Sequence, residues 1–343
     1  MRISSIIFAK IYPYYVRTDM KVAILILNYN GKDLLSSYLD SVLRYKEDAE
    51  VWVVDNGSTD DSLELVKNNF PQVKILVLAK NHGYSKGYNL AVSKIDADLY
   101  CFLNNDVRVC SDWVTPIRQL FETHKHVGFA QPKIVSDKDE SFFEYAGAAG
   151  GHLDLLGFPY CRGRYLHYCE KDLGQFDDTK KVTWASGAAF WVRKTAFTQL
   201  GGFDERFFMH FEEIDLCLRG KAVGWITMCH GNTKVAHLGG ATLLTNEPKK
   251  LYYNIRNSLW TYTKTIPAFP LLFVIIFRLG FDSFFGLFSV LTFKFDHVWA
   301  IIKAHNHFFR EFPKILNARE KTVMPFRTTS VFIKFLIAKA NTK

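Results

Sequence analysis

Apolar and polar positions fall into two alternating rhythms from Lys21 onward. The run KVAILIL (21–27) is short and continuously apolar, as expected of a strand covered on both faces, and DLLSSYLDSVLRY (33–45) spaces its apolar residues at helical intervals. EVWVVD (50–55) is a second such strand. GSTDDSLELVKNNFP (57–71) predicts a helix, with Ser58 or Asp60 as its cap, Leu63 and Val66 as an apolar pair and Pro71 as its stop. VKILVL (73–78), a helix near 84–94 and DLYCFL (98–103) repeat the unit. Because crossover connections between parallel strands are right-handed, the pattern predicts an α/β fold: a mainly parallel sheet with helices on both faces.

The texture changes near residue 128. Gly-rich, aromatic pieces (EYAGAAGGHLDLLGFPYCRGRY, then VTWASGAAFWVRK) predict a mixed sheet with a long loop up to about 193. FEEIDLCLRGK (211–221) reads as a helix, WITM as a strand and VAHLGG as a separate segment after it; beyond residue 249 the chain is helical and aromatic. FPLLFVIIFRLGFDSFFGLFSVLTF (269–293) is long enough to span a membrane, but Arg278 and Asp282 fall near its middle. Each costs about 2.5–3.5 kcal/mol there, and at i,i+4 they can pair. An interfacial helical hairpin on a membrane surface is the favoured reading, a buried helix the second.

Composition sharpens this picture. With 343 residues, 48% hydrophobic and 22% charged, the chain can bury a substantial core, which sets disorder aside. The net charge of +9 is uneven: residues 249–343 hold fifteen Lys and Arg against four Asp and Glu, or +11, leaving −2 for the first 248. A basic tail rich in Phe and Trp suits an anionic membrane surface, whereas a nucleic-acid binder would carry its charge on the recognition domain, so no nucleic-acid partner is expected. Cys101, Cys110, Cys161, Cys169, Cys217 and Cys229 show neither CxxC nor zinc-ligand spacing, and read as reduced, mostly buried thiols of a cytosolic protein. The start, MRISSIIFAKIYPYYVR, is basic without a clean apolar core or small-residue cleavage site, so an N-terminal arm over residues 1–20, loose or membrane-touching, is expected rather than a signal peptide.

Ligands of open parallel sheets bind outside the carboxyl ends of the strands. Four polar strand ends stand there: LNYN (27–30), VVDNGSTDD (53–61), NHGYSKGYN (81–89) and LNNDV (103–107). Each alone is an ordinary turn, but together they suggest a pocket for a large polar ligand. The first strand-to-helix turn, NYNGKDL, has one glycine where a dinucleotide fold needs G-x-G-x-x-G, and no P-loop occurs. Ligand phosphates then need a metal, and Mg²⁺ or Mn²⁺ takes oxygen ligands. Asp106 offers the carboxylate; Asn104 and Asn105 can position the loop or contact the ligand without adding negative charge.

The ordered series LILNYNG, VVDNGSTDDS, NHGYSKGYN, FLNNDV, GGFDERFFMHFEEIDLCLR and VAHLGG resembles the inverting family 2 glycosyltransferases of the GT-A fold, particularly their bacterial rhamnosyltransferase-like branch, over about residues 21–260. The resemblance implies a GT-A catalytic domain over 21–248, followed by a basic, aromatic, membrane-associating helical region over 249–343. It places Asp55 on the nucleotide base, Asn28 and Asn30 near the nucleoside, and Asn81 and Gly83 along ribose and diphosphate. The family's D-x-D-type metal and diphosphate site maps onto Asn104, Asn105 and Asp106, with Asn at its first position. The second member of the family's Glu-Asp pair is the base that takes the acceptor proton; here the pair is Glu212–Glu213, which makes Glu213 the candidate.

Local alternatives stand beside these roles. Asp55 is otherwise a turn or capping aspartate. Glu212 and Asp215, spaced i,i+3, share a helix face and can orient the base, while Asp215 can instead pair with Arg219 at i,i+4. His237 completes the metal shell in related enzymes, or is a satisfied core histidine. WASGAAF resembles the acceptor-side element. YYNIRNSLW resembles the helix after the catalytic core, with Arg256 a phosphate contact or a surface charge.

The expectation is a metal-dependent, inverting hexosyltransferase that uses a dTDP- or UDP-linked sugar. Its acceptor is a hydroxyl of a saccharide or lipid-linked glycan in bacterial cell-surface polysaccharide synthesis, and the protein is peripheral on the inner face of the cell membrane. A nucleotidyltransferase would release pyrophosphate, and its basic Gly-rich loop is missing. A non-catalytic nucleotide-sugar binder, with Asn104 and Glu213 marking lost activity, would bind donor without metal-dependent turnover.

Overall fold

The continuous apolar runs become the inner strands of one sheet. β1 (Val22–Asn28) lies between β2 (Glu50–Asp55) and β4 (Leu99–Asn104), parallel to both, and β3 (Lys74–Val77) continues beyond β2. Side chains of a strand alternate between faces, and β1 serves two cores in that way. Ala23 and Leu25 pack with Tyr88 and Ala91 of α3 (Gly83–Lys94), whereas Ile24 and Ile26 pack with Leu35, Leu39 and Val42 of α1 (Lys32–Tyr45). Between them α2 (Ser62–Asn69) takes Asp61 as its N-cap residue rather than the expected Ser58 or Asp60; Asp60 instead accepts the N–H groups of Ser62 at 3.1 Å and Lys32 at 3.0 Å, tying the start of α2 to that of α1. The structure, a computed structural model, describes residues 20–239, 247–319, 321–327 and 330–340. Apart from Met20, the expected N-terminal arm lies outside them.

The second half of the sheet is mixed. β5 (Val107–Val109), α4 (Thr115–Thr123) and β6 (Val127–Ser136) follow β4; β12 (Ala189–Arg193) inserts antiparallel between β4 and β6; β13 (Ile226–His237) runs parallel to β6 and antiparallel to both β11 (Thr179–Val182) and β5. The order is β11-β13-β6-β12-β4-β1-β2-β3. The WITM and VAHL segments, expected as separate pieces, form this one strand because a register shift between His230 and Lys234 lets it bend without breaking its pairing. The Gly-rich stretch expected as a long loop folds instead into a small antiparallel sheet of β7 (Gly151–Leu153), β8 (Pro159–Cys161), β9 (Arg164–Tyr165) and β10 (Tyr168–Cys169). Strands of two or three residues carry too little periodicity to be read from sequence.

After α5 (Lys194–Gln199) and α6 (Glu212–Ala222), the chain ends in helices: α7 (Pro248–Thr265), α8 (Ala268–Leu291), α9 (Phe295–Asn317) and α10 (Val331–Ala340). α7 is built into the core: Ile255, Leu259 and Trp260 pack with Phe207 and with Ile301, Ala304 and Phe308 of α9. Among the described residues α8 alone is long and apolar enough to cross a membrane. Its two charges face inward. Arg278 approaches Asp282 at 3.9 Å and the Ser258 hydroxyl of α7 at 3.4 Å, while Asp282 meets His305 of α9 at 3.3 Å. Its outer side exposes Phe269, Leu272, Phe273, Ile276, Phe284, Leu287 and Leu291.

Buried charges tie α7 to α6. Lys264 lies 2.6 Å from both Asp204 and Asp215, and Arg219 Nε donates to Asp215 at 2.8 Å. Removing one member of such a network strands its partners in low dielectric. Lys264→Met is therefore expected to cost on the order of 3 kcal/mol, read as a lower urea midpoint; an unchanged midpoint would show that the network does not hold these helices.

Candidate active site

Past the carboxyl ends of β1, β2 and β4 lies a cleft of about 300 Å³. Asn81, Gly83, Asn104, Asn105, Asp106, Glu212, Glu213 and His237 all line it, and Asn28, Asn30, Asp55 and Asp215 are not among its lining residues.

The wall at the ends of β1 and β2 is built by an asparagine lattice. Asn28 Oδ1 accepts Asn105 Nδ2 at 2.9 Å, and Asn28 Nδ2 donates to Ser58 Oγ at 3.3 Å. Asn30, at φ +51°, accepts the Thr59 N–H at 2.7 Å. Asn56 Oδ1 accepts the His82 N–H, and its amide donates to Asn81 Oδ1 and to the Gly83 carbonyl. Buried polar groups need partners, and these side chains supply one another with them across three loops. Asn28 and Asn30 thus shape the loops that carry Asn105, Ser58 and Thr59. Asp55 uses Oδ2 to accept the Ser58 N–H at 3.2 Å, which is the local turn role, while its Oδ1 is buried without a partner. Gly83 sits at φ +76°, where an added Cβ would lie 2.5 Å from the Phe208 carbonyl oxygen, so only glycine lets α3 start this close to the 208–211 segment.

The wall beyond β4 follows from strand pairing. β13 places His237 opposite Val107 of β5, so its imidazole reaches Asp106, the residue before β5. Nε2 lies 3.1 Å from Asp106 Oδ1 and 3.5 Å from Asn104 Nδ2, and Nδ1 lies 3.1 Å from Glu144 Oε2. Burial works to lower the His237 pKa, but the two carboxylates hold it up to about 10, so a metal at Nε2 would have to displace the proton held there. Among the described residues no three His, Cys, Asp or Glu side chains form a ready-made metal cluster. The donors nonetheless fit Mg²⁺ or Mn²⁺, which take few protein ligands and complete their shell with diphosphate oxygens and water. Asp106 and His237 share one wall, and a carboxylate on the far nitrogen of a ligating histidine fixes its ring.

The third wall is the start of α6. The chain enters it through His210 (φ +66°) and Phe211 (φ +72°), two non-glycine residues in the left-handed region, each costing on the order of 1 kcal/mol or more. Asn257 of α7 holds that entry by donating to the carbonyls of Met209 at 2.9 Å and His210 at 2.7 Å. Glu212 and Glu213 are thereby turned into the cleft, where Oε2 of each and Nε2 of His210 are buried without partners. Desolvation raises both glutamates above the ordinary carboxylate range, and each proximity of charge adds to the rise at Glu212. Burial, with a smaller push from Lys250, lowers His210 to about 4, so its imidazole is neutral at neutral pH.

Asp215 does not join the two glutamates. One turn further along α6 it faces Arg219 and Lys264, and its carboxylate anchors the helix. Arg256 is neither a phosphate contact nor a surface charge: it is buried, donates to Asn257 Oδ1 at 2.9 Å and stacks 4.3 Å over Trp260. Asn56, Glu144, His210 and Lys250 are site residues that sequence reasoning passed over. Asn56 and His210 sat inside segments already singled out, VVDNGSTDD and the stretch before the acidic pair, but neither was itself assigned a role.

Comparison with known proteins agrees with this geometry. The model of the family described as Glycosyl transferase family 2 matches residues 23–201. An N-acetylglucosaminyl-diphospho-decaprenol L-rhamnosyltransferase of Mycobacterium tuberculosis is 27% identical over 237 residues, covering 64% of this chain and 76% of its own. Rhamnosyltransferase WbbL of Escherichia coli is 26% identical over 212 residues, 59% of this chain and 78% of its own. Among solved structures, GalNAc-T7 with UDP, GalNAc and Mn²⁺ superposes with a TM-score of 0.57 at 15% identity, over 73% of this chain and about half (48%) of that one. Staphylococcus aureus TarS 1–349 with UDP-GlcNAc gives 0.54 at 14% identity, over 87% and 91%. The structural likenesses establish a GT-A fold. The chain belongs to glycosyl transferase family 2, in its rhamnosyltransferase-like branch.

Proposed function

We propose that the protein moves a sugar from a dTDP- or UDP-linked donor to a hydroxyl of a saccharide carried on a lipid or growing glycan, with inversion at the anomeric carbon. One observation carries the reading: a single cleft sets a carboxylate–imidazole pair, Asp106 and His237, against two glutamates with unpartnered buried oxygens. The donor lies along Asn81 and Gly83, with its base toward Asp55 at the end of β2. Asp106 and His237 would hold Mg²⁺ or Mn²⁺, which when bound supplies positive charge to the leaving diphosphate.

Glu213 takes the proton of the acceptor hydroxyl as that oxygen attacks the anomeric carbon from the face opposite the diphosphate. The bond from that carbon to the phosphate oxygen breaks, its electron pair leaves with the nucleoside diphosphate, and Glu213 ends protonated. A glutamate whose pKa is raised by burial is a stronger base than one in water. Glu212 beside it is raised as well, by burial and by the charge of Glu213, so the two carboxyls titrate as a pair. Relatives support both substrates: the solved neighbours hold UDP, UDP-GlcNAc and Mn²⁺, and the mycobacterial relative's name specifies a diphospho-decaprenol acceptor.

In this reading residues 21–248, braced by α7, carry the chemistry and the chain from α8 onward docks it on the inner face of the membrane, with the exposed outer side of α8 in the interface and the basic tail toward anionic lipid. The test is thermal unfolding with UDP, dTDP and GDP, each with and without Mn²⁺. One nucleotide at 100 times its dissociation constant should add about 2.7 kcal/mol of stability, dependent on metal and lost in Asp106→Ala. A shift from none of them, or one indifferent to that substitution, would overturn the donor site.

A further inference from the structure

A second cavity lies behind the first turn of α7. It is a groove of about 740 Å³ between α7 and α9, lined from α7 by Lys249 and Tyr252 and from α9 by Trp299, Lys303, His307 and Arg310. The α9 residues recur at three- and four-residue spacing, so one stripe of that helix faces the groove while another, through Ile301, Ala304 and Phe308, packs on α7. Lys250, the next residue of the same α7 turn, lines the catalytic cleft, and Tyr253 stacks 6.2 Å from Phe208 of the cleft wall. A single helical turn therefore divides the groove from the site of chemistry.

The groove's cations have no acidic partner: Lys249, Lys303 and Arg310 make no ion pair with an acid among the described residues, and Asp296 is the one acid lining the groove. Lys303 is an exposed residue whose ammonium lies 5.4 Å over the Tyr252 ring. The apolar surface reaches the same place: the exposed residues closing α8, Leu287, Phe288, Leu291 and Phe293, pass into exposed Phe295 and Trp299 one turn apart on α9.

We infer that this groove holds the diphosphate of a prenyl-diphosphate-linked acceptor, with Lys249, Lys303 and Arg310 on its phosphates and the prenyl chain running past Trp299 onto the apolar side of α8. The first sugar then reaches over the opening turn of α7 toward Glu213. Net positive charge in the groove matches a doubly negative diphosphate diester, and guanidinium and ammonium groups are suited to phosphate oxygens. The inference rests on the lipid-linked acceptor reading and gives it a place in the fold.

Titration of the full chain with farnesyl diphosphate tests it, following Trp299 fluorescence against a Trp299→Phe reference, with EDTA present to keep the probe from the donor's metal site. Saturable binding is expected, displaced by inorganic diphosphate and unchanged in Asp106→Ala. The double variant Lys303→Gln, Arg310→Gln, both exposed positions, should weaken it by about tenfold or more, as loss of charge-assisted hydrogen bonds does. The same variant should keep the wild-type melting shift with nucleotide and Mn²⁺. The inference falls if the double variant binds as wild type does, if farnesol binds as tightly as its diphosphate, or if only phosphatidylglycerol vesicles change the Trp299 signal. Failure of every nucleoside diphosphate to shift melting would sink the transferase reading instead, and the farnesyl titration reads out separately from it.

Discussion

The register of β13 is the constraint on which the site depends. This strand runs parallel to β6 along one edge and antiparallel to β5 along the other, so it joins the mixed half of the sheet to the loop that ends β4. A slip of one residue would reverse the faces of its side chains. His237 would then leave Asp106, and Glu144 would lose the imidazole it orients. The bend after His230 lets the strand's first half pair with β11 while its second half crosses to β5.

Two classes of polar residue surround the cleft, and hydrogen-bond satisfaction separates them. The asparagines of the strand ends are satisfied by one another, which is what a scaffold requires. Asp55, His210, Glu212 and Glu213 each keep a buried atom without a partner, and two of the residues leading into α6 hold left-handed backbone. An unpaired buried polar atom costs roughly 1–3 kcal/mol, so these sites are places where a ligand's hydroxyls and ring nitrogens have most to offer. Asn257 and the Lys264 network show how the rest of the chain keeps that arrangement in place: α7, though far along the sequence, clamps both the entry and the back of α6.

The parallel half of the sheet was legible because strands buried on both faces leave unbroken apolar runs, and the cleft was legible because polar residues ended each of them. What sequence did not separate was role within the strand ends. Asn28 and Asn30 read like ligand contacts, yet their partners, Asn105, Ser58 and Thr59, lie on other loops. Asp215 could be assigned to the cleft or to Arg219 by spacing alone, and its decisive partner, Lys264, stands 49 residues away on α7. Arg256 looked exposed or phosphate-bound because its neighbours on α7, Tyr252, Asn257 and Trp260, do not show that this helix packs into the core, where the Arg206 carbonyl, 50 residues away, accepts from it at 3.4 Å. Glu144, in a stretch dominated by small residues, has no pattern of its own; only the path of β13 brings it to His237.

The most direct test of the account is the pH dependence of nucleoside diphosphate release from a nucleotide-sugar donor in the presence of acceptor, comparing the wild type with Glu213→Gln. Burial raises the Glu213 pKa, and the base must be unprotonated to act, so the wild-type rate should climb with pH through a midpoint well above the ordinary carboxylate range, near 7. Glu213→Gln should lose about 10²–10⁴-fold in rate and the acidic limb with it, while still binding donor. Near-wild-type turnover in Glu213→Gln, with the acidic limb unmoved, would contradict the assignment of the base and with it the chemistry read from this cleft.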